Sequence, residues 1–178
     1  FIQGTQAINA EGIGDADIFA LACKQGVMGI QAFFIRGGQN WGHRAFFPAH
    51  TNEVSEDEVF SQFLMQFYED VPPPRTVFVD RNLEELKLLS EALAERAGRK
   101  VAIGMPQRGT RRRLLEQAKR NAVEAPDRRL AESTTHAKIL REIADFFGLA
   151  EPPDRIEVYD NSHIQGTNAV GAMIVAGP

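Results

Sequence analysis

The hydrophobic period of this chain changes near residue 55, and that change decides which elements it can build. Before it lie three short apolar runs, Asp17 to Cys23, Val27 to Arg36 and Trp41 to Pro48, separated by Gln25-Gly26 and by Gly37-Gly38-Gln39-Asn40. Runs of that length broken by glycine-containing turns read as three antiparallel strands. After it, apolar residues recur every three or four positions. Ser55 with Glu58 three residues on forms a capping box, and Val59, Phe60, Phe63, Leu64 and Phe67 follow at helical spacing until Val71-Pro72-Pro73-Pro74 stops the helix. Thr76 to Val79 is a fourth strand. Asn82 is expected to cap a helix over Leu83 to Ala97, with Leu86, Leu89 and Leu93 in its stripe and Gly98 as its stop. Lys100 to Gly104 is a fifth strand and Pro106-Gln107-Arg108-Gly109 a loop. Thr110 opens a helix through Leu114, Leu115, Ala118 and Ala122 that Pro126 is expected to end or kink, and a further helix, Asp127 to Phe147, closes at Gly148.

Strand, strand, strand, helix, strand, helix, strand, helix is the order of a ribonuclease H-like α/β domain, a mixed five-stranded sheet with helices on its faces. An active domain of that kind needs several carboxylates at the ends of its first and fourth strands, because the chemistry holds two divalent cations roughly 3.5 to 4 Å apart. Phe19, Ala20, Leu21 and Ala22 stand where the leading acid belongs. Asp15 and Asp17 come early and read as residues at the start of the strand, and Asp80 reads as the turn before Asn82. Residues 15–150 are therefore expected to be a ribonuclease H-like domain without catalytic carboxylates. Residues 1–14 read as a linker from an upstream element. Residues 151–178 read as the first two strands of a second ribonuclease H-like domain: Arg155 to Asp160, a turn centred on Gly166, then Asn168 to Ala176.

Asp160 ends an apolar strand, where an unpartnered carboxylate is costly. It is either an Asx-turn cap closing the strand or an acid placed for chemistry. The run Tyr159-Asp160-Asn161-Ser162-His163-Ile164-Gln165-Gly166-Thr167, after Pro152-Pro153-Asp154-Arg155-Ile156-Glu157 and before Gly171-Ala172-Met173-Ile174-Val175, resembles the start of the endonuclease domain of UvrC, a component of the bacterial UvrABC excinuclease. Ala32-Phe33-Phe34-Ile35-Arg36-Gly37-Gly38 and Pro106-Gln107-Arg108-Gly109 fall in the order that family shows, so the resemblance covers nearly the whole chain. Two positions depart from it: Asn161 stands where an apolar residue is usual, and Pro126 interrupts what is normally a helix. The resemblance implies that Asp160 is a catalytic carboxylate and metal ligand, working with further acids and a histidine beyond Pro178. The complete centre would bind Mg²⁺ or Mn²⁺ and activate a water against a DNA phosphodiester during nucleotide excision repair. A single carboxylate does not hold such an ion usefully, so no metal is expected in residues 1–178 and the chain alone is not expected to cut DNA. It also implies DNA and the UvrB subunit as partners, the latter through a motif upstream.

The net charge of −4 hides an uneven distribution. From Glu53 to Glu95 eleven acids face Arg75, Arg81 and Lys87, whereas from Arg99 to Arg120 eight cations face Glu116. Arg108, Arg111, Arg112 and Arg113, with His163, are the candidate DNA contacts; the alternatives are that the arginines pair with acidic helices nearby and that His163 is an ordinary turn residue. Asp160, Ser162 and His163 do not form a hydrolase triad, since alternation along a strand turns His163 away from the other two and no GxSxG surrounds the serine. Phe33, Phe34, Trp41, Phe46 and Phe47 read chiefly as core, with room for one exposed aromatic that could stack a base. Cys23 is the only cysteine, which excludes an internal disulfide and fits a reducing cytoplasm. No stretch approaches a membrane span. The chain starts at Phe1 and ends at Gly177-Pro178, and both ends suggest a piece of a longer protein. Two strands without the rest of their sheet are marginal in water, so residues 155–178 are expected to pair with another edge, swap between chains or stay mobile, a dimer or crystal contact through them being the expected outcome. The functional alternative is a non-catalytic ribonuclease H-like module that binds DNA or protein.

Overall fold

The structure is a computed structural model and describes residues 12–49, 54–164 and 167–176. The expected linker, 1–14, and the centre of the last turn, Gly166, lie almost wholly outside those residues. The chain divides into two compact units, Phe1–Arg129 and Leu130–Pro178.

The first unit is built on β1 (Ala16–Lys24), β2 (Val27–Arg36), β3 (Gln39–Phe46), α1 (Glu56–Asp70), β4 (Thr76–Val79), α2 (Leu86–Ala97) and β5 (Ala102–Gly104). The sheet order is β3-β2-β1-β4-β5; β1, β2 and β3 are antiparallel, and β4 lies parallel to β1 and β5. This is the mixed five-stranded α/β arrangement the sequence order predicts. Both faces of the central strands β1, β2 and β4 are buried, so those strands carry near-continuous apolar runs. Phe19, Leu21, Ile30, Ala32, Val77 and Val79 meet α1 and α2 on one side. On the other, Ile18, Ala20, Phe33, Ile35 and Phe78 meet the first part of α3 (Gly109–Phe147) through Leu114, Leu115, Ala118 and Ala122. The alternation of odd and even positions along β1 is the strand period itself. On the α1 side Phe19 packs edge-on against Phe67 and Tyr68, with centroids 5.4 and 6.1 Å away.

Local chemistry sets the boundaries. Gln25 and Gly26 both have positive φ, as do Gly37 and Gly38, and each pair forms a two-residue hairpin turn. The second turn is thus shorter than the expected Gly37 to Asn40, and β3 begins at Gln39. Ser55 Oγ accepts the Glu58 amide at 3.2 Å and opens α1. Asn82 does not cap α2: the Leu86 amide donates to the Leu83 carbonyl at 3.2 Å, Leu83 is drawn into the core, and the helix starts one turn late with no side-chain cap. Gly98, left-handed at φ 62°, ends it as expected. β5 is shorter than predicted because the Val101 carbonyl is taken by Ser90 Oγ at 2.6 Å, and the ladder begins with the Ala102 amide on the Arg75 carbonyl.

Pro126 does not end the helix: α3 runs without a break from Gly109 to Phe147. A proline there removes one helical hydrogen bond. Packing offsets that loss, because Pro126 is buried and a Cβ placed on Gly29 of β2 would meet its Cδ at 3.2 Å. The absence of a side chain at Gly29 is what admits the ring.

In the second unit α3 ends at Gly148, φ 66°, where the Leu149 amide donates to the Ala144 carbonyl at 2.8 Å. Phe146 and Phe147, on its last turn, are exposed. β6 (Ile156–Ile164) and β7 (Thr167–Ala176) then form an antiparallel pair.

Candidate functional site

Asp160 lies opposite Ala172 in the β6–β7 ladder. Alternation puts it on one face with Ile156, Val158 and Ile174, while Glu157, Tyr159 and Met173 take the other. Asp160 is exposed, and so are Val158 and Ile174 at 54% and 68%. A carboxylate set in an uncovered apolar strip is solvated, and it is free to take a partner that covers the strip. On the opposite face Tyr159 Oη donates to Glu157, whose other oxygen takes Arg155 Nε at 2.6 Å. His163 falls on β6, but its side chain is outside the described residues, so the geometry leaves its role where the sequence left it.

The ends of β1 and β4 in the first unit are where a nuclease centre would assemble. Asp80 stands there, and it is more than a turn residue. Its side chain is 4% exposed and its Oδ2 accepts the Leu21 amide of β1 at 3.3 Å. The neighbouring Arg81 turns its guanidinium onto Asp80 Oδ1 at 3.1 Å, the Leu21 carbonyl at 2.8 Å, Glu56 at 2.9 Å and Asp57 at 3.4 Å. Burial lowers the pKa of Arg81, but the hydrogen bonds it donates to Asp80 and Glu56 outweigh burial and raise the value above that of an ordinary arginine. A permanently charged side chain thus fills the position, tying β1, β4 and the start of α1 together. The sequence shows both residues; it does not show that they fold back onto Leu21.

Asp17 is the second acid whose role sequence reasoning missed. It is fully buried, with Arg36 Nη1 at 2.6 Å and Tyr68 Oη at 2.8 Å. Burial raises its pKa despite the arginine, and burial together with the adjacent carboxylate raises that of Tyr68. Arg36 immediately before the Gly37-Gly38 turn is the available signal. Asp15, by contrast, does act at the strand start, accepting the Gly37 amide at 2.8 Å.

The basic stretch occupies the loop before α3 and its first turns. Arg108, Arg111 and Arg113 are exposed. The acidic helices α1 and α2 cover the opposite sheet face, so they do not neutralise it. Arg112 pairs with Glu116 at 2.7 Å and Lys119 reaches the same oxygen at 3.9 Å, Arg113 donates to Thr110 at 3.2 Å, and Arg111 lies 5.8 Å over the Phe78 ring. Arg112, Arg113 and Arg120 border a surface depression of about 450 Å³. One carboxylate among so many cations, at a helix N-terminus, leaves a field that attracts anions.

Of the aromatics, Phe33 is buried, Phe34, Phe46 and Phe47 are half-buried, and Trp41 is 75% exposed. The cause is a register shift: Phe34 pairs with Gly42 and Ile35 with Asn40, so Trp41 is the extra residue of a β-bulge on the edge strand.

Among the described residues no three His, Cys, Asp or Glu side chains are grouped so as to hold a metal ion. Asp160 alone does not make a divalent-cation site. Among those residues, too, no helix is long and apolar enough to cross a membrane.

Residues 144–178 match the family model described as the UvrC RNAse H endonuclease domain. All 178 residues align at 69% identity with UvrABC system protein C of Novosphingobium aromaticivorans and at 66% with that of Sphingopyxis alaskensis. The Hyphomonas neptunium protein of the same name is 52% identical over 99% of this chain. The chain spans only 27 to 29% of the length of these relatives. Residues 15–129, the five-stranded sheet with its helices, match the model of the UvrC Ribonuclease H-like domain, and the chain belongs to that family.

Proposed function

We propose that this chain is a segment of the incision subunit of a UvrABC-type nucleotide excision repair endonuclease. In that reading Asp160 is one carboxylate of a centre dependent on Mg²⁺ or Mn²⁺, and its remaining members come from outside residues 1–178. The observation that carries the reading is the match of residues 144–178 to the UvrC RNAse H endonuclease domain, with Asp160 exposed within it. The first unit serves as a non-catalytic module that meets DNA through Arg108, Arg111, Arg112 and Arg113. Support for that comes from the single carboxylate facing the patch and from the arginine that fills the ends of β1 and β4. The partners are DNA and the UvrB subunit, in the cytoplasm. The uncovered faces of β6 and β7 pack against further chain or, in the isolated segment, against a second copy.

The test is incision of a lesion-bearing duplex with the partner subunits and Mg²⁺, using a protein of the relatives' full length that carries this segment. Asp160→Ala is expected to abolish cutting while damaged-DNA binding persists. Cutting at the unsubstituted rate would remove Asp160 from the centre.

A further inference from the structure

The face of the first unit turned away from the arginines carries a groove with no part in the proposed DNA contacts. It lies between α1 and α2 and encloses about 990 Å³. The inward stripe of α1, Val59, Phe60, Leu64 and Tyr68, is spent on the sheet, as are Leu89 and Leu93 of α2. Met65 and Leu88 lie outside those stripes, line the groove, and are 41% and 64% exposed. Two large apolar side chains left open in one concavity are more than scattered surface residues. Around them stand Asp57, Glu58, Glu69, Glu84 and Glu85, and among the described residues no lysine, arginine or histidine lines the groove. Among the described residues only Asp57 of these five has a cation within ion-pairing distance, Arg81 at 3.4 Å.

An apolar floor with an unneutralised acidic rim selects its occupant by charge. Nucleic acid is repelled, and a purely apolar segment leaves the carboxylates without counter-charge. We propose that the α1–α2 groove is a docking surface for a protein partner, and that the docking element is an amphipathic helix with apolar anchors at i, i+3 or i+4, and i+7 flanked by lysine and arginine. The rim from Asp57 to Glu69 spans thirteen residues of α1, about 18 Å of helix axis, which matches about three turns of a docked helix. The methionine suits such a floor, because its unbranched thioether adapts to different anchors. The first unit then has two opposed surfaces, one for phosphates and one for a basic protein segment, and it can hold both at once.

The test uses the 178-residue chain and a designed 16-residue helix with leucines at the anchor positions and lysines on the flanks. Binding is followed by fluorescence anisotropy of the labelled peptide. Saturable binding is expected, weakened at least tenfold by Leu88→Asp and by Glu84→Lys with Glu85→Lys. Leu88→Asp discriminates between mechanisms, since it adds an acid and would strengthen a merely electrostatic association. Far-UV circular dichroism should be unchanged, because Leu88 is exposed; Met65→Ser is the second variant should Leu88→Asp perturb folding. Undiminished binding by Leu88→Asp and Met65→Ser would overturn the proposal. So would equal binding of a peptide with glutamates in place of the lysines, or peptide-sensitive self-association of the chain showing that a second copy is the occupant.

Discussion

Arg81→Met removes a guanidinium, whose carbon lies 5.7 Å from the centroid of the Phe60 ring, and keeps an unbranched apolar stem, so it isolates the electrostatic role of the arginine at the ends of β1 and β4. In the folded chain the guanidinium partners Asp80, which is 4% exposed, and the Leu21 carbonyl, and it reaches outward to Glu56 and Asp57, which are half-exposed. The outer pairs are screened and contribute at most about 1 kcal/mol together. The inner pair is different. Without Arg81, the Asp80 carboxylate keeps only the Leu21 amide, and breaking a buried pair costs about 3 to 5 kcal/mol. Arg81 is itself 22% exposed, which argues for the lower end. The expected loss is about 3 kcal/mol, or roughly 10 °C in Tm for a domain of this size. Urea unfolding is followed by far-UV circular dichroism, because Trp41, the single tryptophan, is 75% exposed in the folded chain and reports weakly on its core. Neutralising the stranded acid in Asp80→Asn with Arg81→Met should recover about 2 kcal/mol of the loss. A single-variant loss under about 1 kcal/mol, or a double variant no more stable than the single, would refute the reasoning.

Gly29→Ala should destabilise by about 1 to 3 kcal/mol, since the new Cβ meets Pro126 Cδ at 3.2 Å, and Pro126→Ala should relieve much of that in a double-mutant cycle read by denaturant midpoint. Asp17 titrates with a raised pKa because burial disfavours its charge, so the folded state holds the proton more tightly than the unfolded state does. Its contribution to stability is therefore greatest below pH 3.8, falls as pH rises through the raised folded-state value, and is level above it. Unfolding free energy of the wild type minus that of Asp17→Asn should fall across that window; a difference that rises with pH would reverse the assignment. Replacing Arg111, Arg112 and Arg113 by alanine should weaken duplex binding and flatten the plot of log K against log salt by about 0.9 for each phosphate no longer neutralised. An unchanged slope would leave those arginines without a DNA role.

Local pattern carries most of the fold, because strands β2 and β4, the start of α1 and the end of α2 rest on signals that neighbouring residues supply: short apolar runs, a capping serine, a glycine stop. The misreadings have one cause. Pro126 reads as a break because helix propensity is local, whereas its tolerance depends on Gly29, 97 residues away in sequence. Asn82 has the right chemistry for a cap, but Leu83 is recruited by the core and moves the helix start. The candidate site is legible only where resemblance reaches it. Asp160 stands out as an acid on an apolar strand, and the density of arginines before α3 is visible in composition. That Asp80 and Arg81 close the first sheet's strand ends, and that Asp17 is buried against Tyr68, are contacts across 59, 60 and 51 residues that no local pattern encodes.

Incision as proposed requires Asp160 to be a ligand in a cation centre of the full-length protein. The most direct measurement is the position of Mn²⁺, located by its anomalous scattering in crystals of a protein of the relatives' length. An ion with an Asp160 oxygen at about 2.0 to 2.6 Å, the range of hard-cation carboxylate distances, is the expected result. An occupied centre whose ligands exclude Asp160, or with that side chain turned away from the ion, would contradict it.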